Sequence, residues 1–466
     1  MHKNILNPLA VSSIFFAALC EASPSVYPTG VTRYNPSKAY NSYVLFAGQD
    51  KKTHLIDLNG NEVHQWNYNG FPSVFIDPKL VGGKKGHVLV QFTGETGGRS
   101  DPNGAQAIGE TDWDGNIIWQ WSGVKSQDAY ASGTTTADAT NIGSNVRQHH
   151  DWRKLPNGNT LILVNYQRPV TGFKAEKLLE DGIYELTPEG KVVWQWAAYD
   201  HFNEYGFSDE ALKLIRESTS RNDKTVPFDY LHFNNMSVVG PNKWFDAGDA
   251  RFNPDNIVVC AREANFTAII DKKTGKIVWH IGPDYPPITT PNKLPRPVDQ
   301  ITGQHDAHII PKGLPGEGNL LVFDNQGEAG YPSVKLNTQP GSRVLEIDPI
   351  KNAIVWQYTG VDSGAPNYTF YSSYISSARR LPNGNTLIDE GMNGRFFQVT
   401  AQGEIVWEYI SPYFSKPNPK DEKPTINNSV FRAQPVPYDW APDGTPRSEK
   451  PVKPLNVSQY QLPVEK

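Results

Sequence analysis

A short motif that recurs six times constrains this chain more than any other feature. Each copy has a polar turn, usually with glycine, and then a run of Val, Ile and aromatic residues that ends in Trp-x-Trp or a related pair. Glycine suits a tight hairpin turn that needs a positive φ, and the run that follows alternates as a strand does. The copies therefore predict six hairpins, which begin near residues 58, 114, 187, 273, 348 and 400.

A second element precedes most of these hairpins. It is clearest at 150–163 and 376–388, which share Leu-Pro-Asn-Gly-Asn, and looser copies cover 73–92, 232–260 and 305–323. The two elements together give four strands per unit, and units arranged radially bury each other's faces. The sequence thus predicts an all-β, six-bladed β-propeller. The blades are expected at about 40–66, 73–121, 149–196, 231–281, 304–358 and 372–409.

The ring needs a closing strand, because the first blade lacks its leading one. We expect the tail segment 430–433 to supply it. Longer inserts at 101–107, 124–145, 199–230 and 285–300 separate the blades. These loop inserts are predicted to cap one face of the propeller, since loops on a rigid scaffold often carry function.

The N-terminus has the pattern of a signal peptide. Residues 1–22 include an apolar stretch at 9–19 and a small-x-small site before Ser23. The stretch is too short to span a membrane, and no later segment qualifies. We therefore expect a single propeller domain at 23–466, periplasmic or secreted. Cleavage would leave Cys260 as the one cysteine, so no internal disulfide is expected.

Charge and composition exclude some partners. The formal net charge is −5 and no clustered basic face is evident, so a nucleic-acid partner is not expected. No dinucleotide or phosphate-loop fingerprint is present, and no cofactor is predicted. The sequence leaves the oligomeric state open, a homodimer included.

Histidines recur where the first strand of three consecutive blades should line the channel. They are His149 or His150, then His232, then His305 or His308. Convergent polar groups at a channel mouth are a functional-site signal. Since strand side chains alternate, only one of each pair should face the channel. The shared Leu-Pro-Asn-Gly-Asn aligns His150-Asp151 with Ser376-Ser377, and His305-Asp306 matches His150-Asp151, so we expect His150 and His305 to face inward.

The same alternation argues against a zinc ion held jointly by His305 and His308 on a regular strand. A metal bound across blades stays open, but none is predicted. Arg262 follows a buried strand one hairpin after His232, and its guanidinium suits an oxyanion. Asn234 lies two residues from His232 and so shares its face.

Arg168 and Arg379 are two further cationic candidates for substrate binding. Each is also an ordinary partner for a structural ion pair, and the sequence does not choose between these roles.

Several of these segments together resemble the arylsulfate sulfotransferases, over roughly residues 40–435. Members of that family are periplasmic, transfer sulfate from an aryl sulfate to a phenol, and need no nucleotide donor. The segments that carry the resemblance are Gln304–Ala307, His150–Asp151 with its Leu-Pro-Asn-Gly-Asn, His232-x-Asn234, the strand ending at Arg262, and Gly394–Thr400.

The resemblance implies a role for each site residue. His305 would be the nucleophile that becomes transiently sulfated, and His150, His232 and Arg262 would hold the sulfuryl oxygens. Asn234 would support His232. A covalent intermediate implies ping-pong kinetics, and neutral imidazole suits the attack. Some family members carry a disulfide, which the mature chain cannot form internally.

Two other functions compete with this interpretation. A propeller polysaccharide lyase or hydrolase could use the same His and Arg set on an anionic sugar polymer, with or without a metal. A non-catalytic propeller could use it only to bind an anion. Substitution of His305 separates these, because a sulfotransferase should lose turnover and still bind sulfate esters. The physiological donor and acceptor stay open.

Overall fold

The structure, a computed structural model, describes residues 28–92, 107–122, 146–287, 293–334, 341–417 and 426–455. The predicted signal peptide lies outside these residues, as do nearly all of the inserts at 101–107 and 124–145 and part of the insert at 285–300. The described residues form six antiparallel sheets, one for each blade of a β-propeller. The predicted fold class is therefore confirmed.

The first three blades follow the predicted order. Strand β1 (Gly30–Tyr34) belongs to the last blade. Blade 1 contains β2 (Tyr43–Ala47), β3 (Thr53–Ile56) and β4 (Glu62–Trp66). Blade 2 contains β5 (Asn69–Phe75), β6 (Val88–Phe92), β7 (Ala107–Thr111) and β8 (Ile117–Trp121). Blade 3 contains β9 (Arg147–Lys154), β10 (Thr160–Pro169), β11 (Lys177–Leu186) and β12 (Val192–Ala197).

The other three blades complete the ring. Blade 4 contains β13 (Phe233–Val238), β14 (Ile257–Ala261), β15 (Phe266–Ile270) and β16 (Ile277–Ile281). Blade 5 contains β17 (Arg296–Pro297), β18 (His305–Ile309), β19 (Leu320–Asp324), β20 (Arg343–Asp348) and β21 (Ala353–Tyr358). Blade 6 contains β22 (Ser377–Arg380), β23 (Thr386–Glu390), β24 (Arg395–Val399) and β25 (Ile405–Ile410), with β1 at its rim. Strand β26 (Gln434–Val436) lines the channel in blade 1.

Blades 5 and 6 differ from the prediction of four strands per blade. In blade 5, β17 pairs with the rim strand β21, and in blade 6, β1 pairs with β25. These segments satisfy the backbone groups of an edge that would otherwise be unpaired.

The closing strand also lies later than predicted. It is β26, which pairs with β2, and not the segment 430–433. That segment instead runs along the inner side of blade 6, where Val430 N donates to Gly391 O and Ser376 N donates to Phe431 O. Because these bonds hold residues 430 and 431 on blade 6, only the chain beyond them reaches β2.

The recurring turn and tryptophan have separate structural roles. Every turn of the motif has a residue with positive φ, from 49° to 85°, which explains its glycine. Those residues are Gly60, Gly115, Gly190, Gly275, Asn352 and Gly403. The tryptophan indole donates to a backbone carbonyl of the next blade at five of the six junctions. The pairs are Trp66–Asp112, Trp196–Gly275, Trp279–Pro349, Trp356–Ala401 and Trp407–Leu58.

Helices are short and lie in the connections. Helix α1 (Asp209–Glu217) lies in the insert at 199–230, and Ser208 caps it by accepting from Ala211 N; α2 (Lys243–Asp246) follows β13. Single 3₁₀ turns occur at Pro78–Val81, Ala198–His201, Ala250–Phe252, Gly360–Ser363, Asn367–Thr369, Gly391–Asn393 and Tyr438–Trp440. Among the described helices, none has the length and apolar character to span a membrane.

The hydrophobic core lies between neighbouring sheets. Leu163 and Ile183 of blade 3, for example, pack in one cluster with Phe233 and Val259 of blade 4. Cys260 is buried and free.

The topology determines which face carries the inserts. Apart from the added rim strands β17 and β1, the strands of blades 2 to 6 run in chain order from channel to rim, so every channel strand begins where the preceding blade's last strand ended. The insert at 199–230 and the described parts of the insert at 285–300, which are 285–287 and 293–300, are such rim-to-channel connections. They therefore lie on the face where the channel strands begin, which is also where the predicted histidines lie.

Candidate active site

The channel strands of blades 3 and 5 are irregular at their histidines. The β9–β10 register shifts between Ile162 and Val164, and the β18–β19 register shifts between His305 and His308. His150 has a φ of 61° and Asp306 a φ of 55°, values that are uncommon for residues other than glycine and that cluster at functional sites. These bulges break the alternation of side chains.

One sequence prediction fails for this reason. We expected only one of His149 and His150 to face the channel, but both rings pack against His232. The ring centroids of His149 and His150 lie 5.1 Å and 5.0 Å from that of His232. The bulge at His150 turns the two neighbours to the same side.

His150 and His232 share a short contact between their Nε2 atoms, at 3.1 Å. The other nitrogen of His232, Nδ1, lies 2.6 Å from Asp229 Oδ2. Burial opposes a charge on His232, but Asp229, followed by Asp181 and Glu263, raises its pKa to about 9. Burial and the neighbouring histidines hold the pKa of His150 well below its ordinary value. At neutral pH the charged His232 therefore donates from Nε2 to the neutral His150.

His149 completes a group of three imidazoles. Its Nδ1 lies 3.6 Å from Asp181 Oδ1, and burial raises the pKa of that aspartate. One nitrogen from each of His149, His150 and His232 lies within 4.8 Å of the others. Histidine nitrogens bind zinc at about 2.0–2.1 Å, so a small rearrangement would let them hold a metal ion. The geometry permits either a shared proton or a metal here.

His305 lies buried at the start of β18 with both ring nitrogens engaged. Its Nδ1 lies 2.8 Å from Asn325 Oδ1 and 3.0 Å from Gly303 O, and both oxygens accept. The Asn325 amide in turn donates to the carbonyls of Ser372 and Ile375, which fixes its orientation. Nδ1 therefore carries the proton and Nε2 carries the lone pair, which accepts from Ile375 N at 3.1 Å.

Charge and burial keep the His305 ring neutral. Burial, opposed by the Asn325 hydrogen bond and reinforced by Arg262 and His232, lowers its pKa to about 3. Arg262 lies close by, since its backbone N–H donates to His232 O at 3.1 Å, and its side chain pairs with Glu263. The site thus places a neutral imidazole beside a guanidinium and a charged imidazole.

Two phenylalanines form one wall of the site. The Phe431 ring stacks on His150 with centroids 5.1 Å apart, and its centroid lies 6.2 Å from that of His305. Phe71 packs against Phe431 at 4.3 Å. Phe431 therefore lies between the two histidines.

Asn234 has a different contact from the one expected. Its amide donates to Gln304 O at 2.9 Å, which links blade 4 to the residue before His305, whereas the partner of His232 is Asp229. Asn234 thus positions the strand that carries His305.

Three other candidates lie away from this cluster. Arg168 pairs with Asp200 at 2.7 Å. Arg379 pairs with Asp306, and His308 Nδ1 donates to Asp306 O at 2.8 Å. His305 and His308 therefore belong to different levels of the channel.

Sequence reasoning missed Asp229, Asn325, Ile375 and Phe431. A signal existed for Asn325, because it stands one residue past the second strand of blade 5, just as Arg262 does in blade 4. The other three come from connecting segments outside the repeat, and the repeat gives no position for them.

Comparisons with known proteins agree with the sequence. A family model described as "Arylsulfotransferase (ASST)" matches residues 131–409, which confirms the family resemblance. No protein with a curated description matches the chain.

Several solved structures are similar to this chain at low identity. A protein of unknown function from Bacteroides caccae shares 11% identity over 85% of this chain and 99% of its own, with a TM-score of 0.46. The Cps50 (Swd1) β-propeller domain of Myceliophteria thermophila shares 10% identity over 84% of this chain and 88% of its own, with a TM-score of 0.37. A putative 6-phosphogluconolactonase from Bacteroides fragilis shares 10% identity over 85% of this chain and 98% of its own, with a TM-score of 0.35.

Proposed function

The chain belongs to the arylsulfotransferase family, and on that premise we propose that it transfers a sulfuryl group from an aryl sulfate to a phenol through a sulfohistidine at His305. The family supports aryl sulfotransferase activity on small molecules in general. The covalent intermediate and the residue roles below are the finer proposal.

His305 has the properties that a nucleophile needs. Its Nδ1 proton is held by Asn325 and Gly303, so Nε2 carries the lone pair. Nε2 attacks sulfur, the bond from sulfur to the aryl oxygen breaks, and the phenolate leaves. In the second half-reaction a phenol oxygen attacks sulfur and gives up its proton to solvent, the bond from sulfur to Nε2 breaks, and Nε2 recovers its lone pair. This sequence is ping-pong.

Two cations stabilise the oxygens of the sulfuryl group. Arg262 presents a guanidinium, and His232 is charged because Asp229 holds its pKa near 9. Charge spread over three oxygens requires positioned donors more than acid–base catalysis, as in phosphoryl transfer. His150 accepts the Nε2 proton of His232 and so orients this ring.

The substrate must displace one contact before the reaction. Ile375 N–H donates to His305 Nε2, the atom that attacks. Ile375 has a φ of 54° and Ser376 a φ of 96°, conformations that cost about 1–3 kcal/mol each outside glycine. Release of this strained segment offsets part of the cost of opening the site.

The single observation that carries the proposal is the buried, neutral His305 with its lone pair on Nε2, beside Arg262 and the charged His232. An anion-binding site alone has no need of a neutral imidazole held in one tautomer.

The test is intact mass and peptide mapping after mixing the protein with p-nitrophenyl sulfate and no acceptor. We expect one sulfuryl group on the peptide that contains His305, a matching burst of p-nitrophenol, and loss of the adduct when phenol is added. His305→Ala should give no adduct, whereas His280→Ala, on the rim strand of blade 4, should behave as wild type. An adduct on another residue, or turnover without any adduct, rejects the intermediate.

The three-histidine group favours a second candidate, a metal-assisted reaction on an anionic sugar polymer. Dialysis against a chelator separates the two. Sulfuryl transfer from His305 should survive, whereas a metal-dependent lyase or hydrolase should lose activity and regain it with zinc.

We also propose that residues 1–22 direct the protein to the periplasm or to secretion. N-terminal sequencing of the protein from the periplasm or medium should start at Ser23. A chain that keeps Met1 in the cytoplasm would reject this.

A further inference from the structure

The channel has a second group of charges below the histidines. The channel strands of blades 3, 5 and 6 run the same way, so Arg153, His308 and Arg379 occupy matching positions three residues after His150, His305 and Ser376. Each of these residues lies three positions further along its strand, toward the opposite face, although the bulges in β9 and β18 make the rise shorter than in a regular strand.

Arg432 and two aspartates form the layer between the levels. The Arg432 guanidinium lies 2.9 Å from Asp151 Oδ2, and its Nε lies 3.1 Å from Asp306 Oδ1. Arg153 also pairs with Asp151, at 3.0 Å, and Arg379 pairs with Asp306. Two carboxylates thus form ion pairs with three guanidinium groups, all of which are largely buried.

Neither oxygen of Asp389, the third nearby carboxyl, has a hydrogen-bond partner among the described residues. Burial, reinforced by Asp306, raises the pKa of Asp389 well above its ordinary value, which favours its uncharged form. Buried charges are normally paired, and an excess cation in a desolvated site is costly.

Arg379 is incompletely paired. Burial and the neighbouring Arg432 and Arg153 lower its pKa to about 10, although Asp306 opposes this. Within the described part of the chain, Arg379 Nε is buried and has no hydrogen-bond partner. The side chains of Arg153 and Arg379 are 18% and 19% exposed, so solvent reaches this end.

We propose that Arg153 and Arg379 form a second anion site, at the end of the channel opposite the histidines, which binds a small oxyanion such as inorganic sulfate or a carboxylate. Guanidinium groups match the geometry of these oxyanions and can bind them through paired hydrogen bonds. The layer of Asp151, Arg432 and Asp306 separates this site from His305. The proposal does not depend on sulfuryl transfer.

The experiment is equilibrium dialysis of the full chain with radiolabelled inorganic sulfate. The Arg379→Gln variant should bind one molar equivalent of sulfate less than the wild type, or should bind that equivalent at least tenfold more weakly. Arg262→Gln is the matched control, because it removes a guanidinium at the histidine level and should leave this equivalent in place. Excess acetate should displace the label if the site takes carboxylates as well as sulfate.

Equal binding by wild type and Arg379→Gln overturns the proposal. If circular dichroism shows that Arg379→Gln does not fold, Arg153→Gln takes its place, and anomalous diffraction from wild-type crystals soaked in selenate locates the anion directly. A selenate only among the histidines rejects the site. The His305 adduct is measured separately in each variant, so loss of the adduct and loss of this equivalent are independent results.

Discussion

The histidine level of the channel and the neighbouring layer of Asp151, Arg432 and Asp306 differ in how fully their side chains are paired. Asp151 accepts from Arg432, Arg153, the Asn235 amide and two backbone N–H groups. At the histidine level, by contrast, His150 Nδ1 is buried without a hydrogen-bond partner among the described residues. His305 Nε2 has only a strained backbone N–H as its donor.

The fully paired layer contributes to the stability of the fold, whereas the incompletely paired histidines are available for chemistry. The Asp151 carboxylate, with its many donors at one place, fixes blades 3 and 4 to the tail, and no further group can bind it. An imidazole whose partner belongs to a strained segment can exchange that partner for a substrate. The following predictions test this division, from the largest expected effect to the smallest.

His305→Ala should lower sulfuryl transfer by about 10⁴-fold or more, because it removes the attacking atom. The measurement is the steady-state rate with p-nitrophenyl sulfate and a phenol. Binding of p-nitrophenyl sulfate, followed by calorimetry, should change less than tenfold. A variant that keeps more than a tenth of the wild-type rate contradicts the assignment.

Arg432→Met should destabilise the fold by about 3 to 5 kcal/mol, because it removes at once the buried charge-assisted contacts through which Arg432 joins Asp151 of blade 3 to Asp306 of blade 5. Denaturant unfolding followed by tryptophan fluorescence measures this. Arg251→Met is the control, since Arg251 forms an exposed pair with Asp249 and should cost at most about 1 kcal/mol. Equal losses would show that the Asp–Arg layer is not a special source of stability.

Asp229→Asn should lower transfer about 10- to 100-fold at pH 8, because His232 loses the group that contributes most to its charge. NMR titration of His232 should show a lower pKa in the variant. Asp50→Asn, which disrupts the contact of Asp50 with His54 in blade 1, is the matched control and should leave the rate unchanged. If the His232 pKa does not move, the source of its charge lies elsewhere.

The wild-type rate should fall about tenfold per pH unit above about 9, since His232 is charged below its pKa and loses its proton above it. The acid side should show no fall from His305 until about pH 3, because that ring is neutral above its lowered pKa.

The raised pKa of His232 also stabilises the fold below about pH 6.5, and this contribution is lost as the pH rises through about 9. A pH–rate profile and thermal unfolding at each pH check both. An acid limb near pH 6 that belongs to His305 would contradict the neutral nucleophile.

Much of the fold follows from local sequence alone. Glycine in the turns and Trp in the rim strands identify the hairpins, because hairpin geometry depends on nearby residues and the Trp recurs at the same place in each hairpin. The fifth strands of blades 5 and 6 could not be predicted, since β17 and β1 lie outside the repeat, and their pairing depends on which edge lies near. The closing strand was misplaced by a few residues for a similar reason: the contacts of Phe431 and Val430 with blade 6 are purely tertiary.

The candidate site likewise has features that follow from the sequence and features that depend on the tertiary structure. The sequence by itself determined the propeller, the order of His150, His232 and His305 around three blades, and the position of Arg262, because these follow the repeat. Only the tertiary structure decided that a bulge brings His149 beside His150, that Asp229 charges His232, that Asn325 fixes the tautomer of His305, and that Arg379 and His308 belong to another level. Strand periodicity gives the direction of a side chain only where the strand is regular, and a pKa depends on neighbours that the fold brings together from distant parts of the chain.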